Sequence, residues 1–300
     1  MAVRYNADTK TFILETANSS YLMEVSRYGN LLHMYYGARI PDEDLDYLLT
    51  FQDRGFSPNP NEVGNDRTFS LDALPQEFSS DRSGDYRNPS VELVWGEGGT
   101  AFSGKVAGYE ISPGACVIKG MPGLSGGPKE NVDTLVIRLE DPVSRVRLAY
   151  TVFEEKDVIA RSVILANYGT KPLRLEKLMS ATLDFRDSDY DLIYFTGRHM
   201  MEREMRRIPI RDGVHSVGSS RGTSSHQYNP FAILCEPDCG EDHGQCWGLS
   251  LVYSGNFLIE AERDQYRQLR VNAGIHPKGF SFLLEPGEEF QAPQLILAWS

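Results

Sequence analysis

A two-residue rhythm of apolar and polar side chains runs through this chain and leaves it few folds. Val146, Leu148, Tyr150 and Val152 alternate with Arg147, Ala149, Thr151 and Phe153. Leu135, Ile137 and Leu139 alternate in the same way with Thr134, Val136 and Arg138. Successive side chains of a strand point to opposite faces, so this rhythm sends one set into a core and leaves the other outside. Further strand-like runs occupy 11–16, 20–27, 31–37, 91–95, 105–112, 157–167, 172–185, 191–196, 205–211, 231–235, 247–254, 256–262, 267–274, 279–284 and 293–299. Turn signals separate them, among them Gly29 with Asn30, Asp212 with Gly213, and Pro286 with Gly287. The sum is about seventeen short strands. Helical periodicity is confined to 42–50, where Leu45, Leu48 and Leu49 share a face. That many antiparallel strands do not stay in one open sheet, so an all-β fold of two large packed sheets is predicted. No repeat of fixed period supports a propeller. Composition marks no internal boundary, and 1–300 is read as one domain.

Charge narrows the partners. Forty-two acidic against thirty basic residues give a net charge of −12. Such a field repels phosphate backbones and anionic membrane surfaces, so neither nucleic acid nor membrane is an expected partner. No apolar run reaches the ~18 residues that span a bilayer. The opening residues lack the apolar core of a secretory signal. Four cysteines in 300 residues are too few for a disulfide scaffold. A soluble protein of a reducing compartment, the cytoplasm, is expected.

Three stretches break the rhythm: 53–90, 113–133 and 217–230. The Gly-rich 120–128 segment has no phosphate-loop pattern and no helix after it, so it is not read as a nucleotide site. Ser224, Ser225 and His226 are neighbours in the chain, whereas members of a nucleophile–base pair come from separate elements. They are read as a turn. Cys235, Cys239, His243 and Cys246 have zinc-compatible types in a spacing unlike the common fingers, and free thiols are the preferred reading. No metal and no cofactor is expected. The stretch 53–90 is long for a loop in a compact domain, which points to function. Asp53, Arg54, Asp66 and Arg67 flank a turn stiffened by Pro58 and Pro60, with Phe56 beside it. A carboxylate, a guanidinium and an aromatic ring can bind a sugar, and they can equally satisfy one another.

Longer strings carry a resemblance. DRGFSPNP (53–60), DRTFSLD (66–72), GDYRNPS (84–90), YTVFEEKDVIARS (150–162), SSRGTSSHQYNPF (219–231) and LEPGEEFQAPQLILAWS (284–300) are similar to bacterial α-galactosidases of glycoside hydrolase family 36. The opening 5–37 is similar as well, so the likeness runs through the whole chain in order. It implies an N-terminal β-supersandwich domain of the galactose-mutarotase-like type. The family's retaining, cofactor-free chemistry belongs to two aspartates of a (β/α)8 barrel, expected downstream and absent from these 300 residues. The chain itself is therefore expected to be inactive. The resemblance also implies a homotetramer in which Asp53, Phe56 and Arg67 complete the substrate site of a neighbouring subunit. The implied substrates are α-galactosides such as melibiose and raffinose. The alternative is a free-standing carbohydrate-binding module. A mutarotase-like epimerase is disfavoured, because it needs a His acid and a carboxylate base in one cleft, and His33, His199 and His226 show no such pattern.

Overall fold

The computed structural model describes residues 2–300 except 42–44, 56–58, 97, 100, 128–129 and 188. Its first strands, β1 (Val3–Asn6), β2 (Thr11–Glu15), β3 (Ser19–Val25) and β4 (Leu31–Ala38), form a sequential meander. A long irregular stretch leads to β5 (Val91–Trp95), β6 (Lys105–Pro113), β7 (Val132–Glu140), β8 (Ser144–Phe153), β9 (Val158–Asn167) and β10 (Leu173–Phe185). Then come β11 (Asp191–Arg198), β12 (Met201–Pro209), β13 (Gly213–Ser219), β14 (Tyr228–Cys235) and β15 (Cys246–Leu251). The last are β16 (Phe257–Arg263), β17 (Leu269–Ile275), β18 (Phe282–Leu284), β19 (Glu289–Gln291) and β20 (Leu295–Trp299).

Ten of these strands make one large sheet in the order β12-β11-β14-β15-β20-β9-β8-β7-β6, with β19 also paired to β9. Six more follow the order β13-β16-β17-β10-β18, with β5 also on β10. The meander and the six-stranded sheet together face the ten-stranded one. Tyr5 and Phe12 pack on Tyr109 at centroid distances of 4.7 and 5.1 Å, and Tyr21 meets Tyr150 at 5.8 Å. Further along, Phe185 of β10 packs on Trp247 of β15 at 5.3 Å. Trp247 donates its indole N–H to the Tyr36 carbonyl at 2.9 Å, so all three sheets meet at this residue. One continuous core of Val, Leu, Ile and aromatic side chains lies between the layers, fed by the inward positions of each strand.

The all-β packed layers read from the rhythm, and the supersandwich that the resemblance implied, are therefore the fold, with one layer divided between four and six strands. The division has a visible cause. The segment 75–80 runs along the outer edge of β4, where His33 N–H donates to the Pro75 carbonyl and Leu32 bridges Gln76. It then reaches the start of β5, where Ser80 bridges Val91. Irregular chain containing a proline fills the seam that a further strand would occupy.

The 42–50 window yields one 3₁₀ turn, Asp46–Leu48, and its residues 42–44 lie outside the described ones. A turn this short draws its order from packing rather than propensity. Leu49 is buried, and Leu45 and Leu48 pack beside it on a satellite core around Leu22, Leu32 and Phe69.

Candidate functional site

The stretch 53–90 divides into two parts of opposite character. From Phe69 to Ser80 it is interior, and Asp85, Arg87 and Ser90 are buried beyond that. Arg87 donates to the carbonyls of Leu71 and Leu74 at 2.8 Å each, and to Asp85 Oδ1 at 2.9 Å. Arg270 of β17 forks onto Asp184 of β10 with two 2.7 Å bonds and lies 2.8 Å from Asp85. Burial pushes the Asp184 carboxyl up, but the Arg270 and Arg87 guanidinium charges outweigh it and hold it below the usual range. These side chains bolt the irregular segment to the six-stranded sheet.

Glu77 bolts it to the other two sheets. It is fully buried and accepts from Tyr21 Oη at 2.8 Å and Tyr150 Oη at 2.6 Å. His33 Nδ1 lies 2.6 Å away, and Arg161 Nη2 donates to the Glu77 backbone carbonyl. Burial raises the Glu77 carboxyl, yet the His33 hydrogen bond and the Arg161 charge win and lower it. A histidine and a carboxylate thus do meet in this chain, but inside the core under Tyr21 and Tyr150, where no substrate reaches. That geometry serves structure and not epimerisation.

The described residues of the first part, 53–55 and 59–68, are mostly exposed or half-buried, with Val63 alone of them buried. Asp53 accepts from the Gly55 N–H at 2.8 Å and pairs with Arg67 Nε at 3.0 Å. Gly55 sits at φ +68°, a left-handed conformation that glycine adopts without strain. The Arg54 N–H donates to the Arg67 carbonyl at 3.1 Å, which ties the two arms of the loop together. Arg54 itself lies over the Tyr266 ring at 4.0 Å. Asp66 is the anchor. It accepts from Thr68 Oγ1 at 2.6 Å, Tyr28 Oη at 2.9 Å and the Arg27 guanidinium. The Thr68 hydrogen bond leads in holding its carboxyl down, to about 2. Asp53 and Arg67 are brought together as a pair whose side chains remain 58% and 60% exposed. Phe56 lies outside the described residues. An exposed carboxylate beside an exposed guanidinium offers acceptors and donors at the spacing of neighbouring hydroxyls.

A family model described as the glycosyl hydrolase family 36 N-terminal domain matches residues 29–285. The chain belongs to that family. It is 45% identical to the bifunctional alpha-galactosidase/sucrose kinase AgaSK of Mediterraneibacter gnavus, over 100% of this chain and 32% of that protein. It is 37% identical to the alpha-galactosidase Mel36A of Lactobacillus acidophilus, over 99% of this chain and 41% of the relative. The solved galactosidase domain of AgaSK superposes with a TM-score of 0.97 at 45% identity, covering 100% of this chain and 42% of that one. A variant of the family 36 α-galactosidase AgaA from Geobacillus stearothermophilus, solved with raffinose, superposes at 0.94 and 38% identity, over 97% of this chain and 40% of that one. The chain thus spans about a third to two fifths of the length of these relatives.

The other motifs of this family 36 domain fall into place as structure. Ser224 and Ser225 form a turn: Ser224 N–H donates to the Ser254 carbonyl, and Ser225 Oγ accepts from Gln227 N–H. Cys235 and Cys246 face each other across β14 and β15, and all four cysteines are free thiols. Burial pushes the Cys235 thiol up to about 11 and raises Cys246 as well. Among the described residues no group of three or more His, Cys, Asp or Glu side chains is gathered as a metal site. Arg207 organises the intervening loop, donating to the carbonyls of Glu236, Pro237 and Cys239 at 2.9, 2.7 and 2.7 Å.

The two buried polar clusters escape a reading of the chain by spacing. Their members are separated by 44 positions for His33 and Glu77, and by 86 for Asp184 and Arg270. The one local signal is a charge at an inward position of an apolar strand, as with Arg161 in VIARSVILAN.

Proposed function

We propose that this chain is the non-catalytic N-terminal domain of an α-galactosidase that hydrolyses terminal α-galactosides by the retaining mechanism. The catalytic carboxylates belong to a barrel that follows in the full-length protein. Asp53 and Arg67, with Phe56, complete the substrate site of a neighbouring subunit in a homotetramer. The cytoplasm is the proposed compartment, in keeping with four unpaired thiols.

The observation that carries this reading is the Asp53–Arg67 pair itself. Its loop is anchored firmly through Asp66, while among the described residues the pair's side chains bond only to each other and to the loop backbone. A fixed base with an exposed charged tip suits a contact made to something outside the domain. Similarity to enzymes named α-galactosidases over the full chain supports the reaction.

Activity separates the domain from the enzyme. The 300-residue chain alone should not release aryl alcohol from an aryl α-galactoside, whereas the full-length protein should. Turnover by the repurified chain above buffer background would place a catalytic pair within 1–300 and refute the assignment.

A further inference from the structure

The outward loop has two arms, and different parts of the molecule hold them. Arg67 follows Asp66, whose bonds to Tyr28 and Arg27 tie that arm to the turn between β3 and β4. Asp53 lies on the other arm. Phe51 starts it, stacked on Phe69 at 6.4 Å. Next to Asp53, Arg54 crosses to the six-stranded sheet, where its guanidinium lies 4.0 Å from the centre of the Tyr266 ring.

Tyr266 sits on a turn that is fixed from within. β16 and β17 pair as far as Arg263 and Leu269, which leaves the five residues 264–268 to reverse the chain. Asp264 is 6% exposed, and its Oδ1 accepts from the N–H groups of Tyr266 and Gln268 at 2.8 Å each. A carboxylate bonded to the backbone two residues on stabilises such a turn. The Asp264 N–H donates to the Gln268 carbonyl at 3.0 Å, and the Arg267 N–H to the Asp264 carbonyl at 3.1 Å. Arg267 takes up the reversal at φ +62°, in the left-handed region. The backbone under Tyr266 is therefore set, while the residue itself stays 39% exposed.

The stack is the contact that the Arg54 side chain makes. Among the described residues no carboxylate pairs with its guanidinium, in contrast to Arg27, Arg67 and Arg87, which each have one. A planar guanidinium over an aromatic face is held by the ring's charge distribution and by its shape. The Arg54 backbone N–H meanwhile bonds the Arg67 carbonyl at 3.1 Å. Arg54 thus joins the ring to its chain neighbour Asp53 and to the opposite arm at Arg67. Releasing it from the ring frees both members of the exposed pair to shift.

We propose that Tyr266 is a positioning residue for the substrate contact of the loop, acting through Arg54 to hold Asp53 and Arg67 in place. The role rests on the proposed substrate contact of that pair.

Steady-state kinetics of the full-length protein with raffinose test it. Tyr266→Ala should raise KM about two- to fivefold, the factor an exposed cation–ring contact carries, with kcat held. Tyr266→Phe keeps the ring and should keep the wild-type KM. Arg54→Ala reaches the same contact from the loop side, so it should raise KM to the same degree, and the double variant no further. A purely structural defect would instead lower the active fraction, which reduces kcat and leaves KM in place. The control is Tyr168→Ala, which removes a comparable stack with Arg145 at 4.2 Å. It sits at the far end of the thirteen-residue β10, roughly 40 Å from the 264–268 turn, and should leave KM unchanged.

A wild-type KM in Tyr266→Ala and Arg54→Ala, a Tyr266→Phe variant as impaired as Tyr266→Ala, or a loss confined to kcat would overturn the proposal. Arg67→Ala, measured alongside, separates the two claims. A raised KM in Arg67→Ala with wild-type values in Tyr266→Ala and Arg54→Ala refutes the positioning and leaves the substrate contact standing. Wild-type values in all three refute the contact, and the positioning with it.

Discussion

A carboxylate sealed from water persists only where neighbours replace its hydration, and around Glu77 that task falls to Tyr21, Tyr150, His33 and Arg161. Its pKa is lowered in the fold, against an unfolded value near about 4.3. A depressed folded pKa contributes stability that is complete above the unfolded value and is lost as pH falls through the folded one. Asp184, lowered by Arg270 and Arg87, adds a second contribution of the same sign. Urea unfolding should therefore show stability falling steadily once pH drops below about 4. Glu77→Leu should cost about 3–5 kcal/mol at neutral pH, because it strands the buried Arg161 charge. The same variant should show a shallower acid slope. An unchanged slope would assign the acid sensitivity to other groups. None of this is legible in the sequence, where Glu77 is one acid among forty-two and its partners come from β3, β4, β8 and β9.

Strands are the part of this fold that sequence reports best, because alternation is local. β7 and β8 send the alternating set Leu135, Ile137, Val146 and Leu148 into the core, while Ala149, Thr151 and Phe153 at the end of β8 are buried on the other face as well. The strands that alternation misses are short or polar: β1, the three-residue β19, and β13, whose sequence GVHSVGS has little to bury. β12 starts at Met201, ahead of the run seen at 205–211, and is mostly exposed on both faces, so no apolar period marks its beginning. The 69–90 segment is the larger surprise. It has no strand rhythm, yet 69–80 is as buried as the sheets it joins, and the buried charges of Glu77, Asp85 and Arg87 fix the segment's course together with Phe69, Leu71, Leu74 and Phe78 in the apolar clusters. Asp184→Asn should loosen this segment selectively. Hydrogen exchange should rise for amides of 71–88 well before that of β7 and β8. Equal protection in the variant would show that packing alone holds the segment.

The molecule divides its labour by depth. Its interior is a supersandwich held by a main apolar core, smaller satellite cores and buried polar clusters such as those around Glu77 and Asp184. Its charged loop, 53–68, is fixed at Asp66 and presents Asp53 and Arg67 outward. Sequence placed the two residues together through a family likeness. Their pairing could not be read from spacing, since the fourteen-residue separation is closed by long-range bonds such as the Arg54–Arg67 backbone bond and the Asn59 bond to the Asp66 carbonyl. In the proposed enzyme these two groups meet sugar hydroxyls by charge-assisted hydrogen bonds, each contributing about 1.5–3 kcal/mol. Arg67→Ala should therefore lower kcat/KM by roughly tenfold to a hundredfold, partly through KM, because the contact is to a non-reacting part of the substrate.

The central claim is that this contact crosses between subunits, and mixed oligomers of the full-length protein test it most directly. Arg67→Ala subunits are co-assembled with subunits that lack a catalytic aspartate of the barrel. If the loop serves a neighbour, some sites in the mixture combine an intact barrel with an intact loop, and kcat/KM should exceed the weighted mean of the two parents. Activity equal to that mean, with co-assembly verified by mass, would place the contact within one subunit and contradict the account.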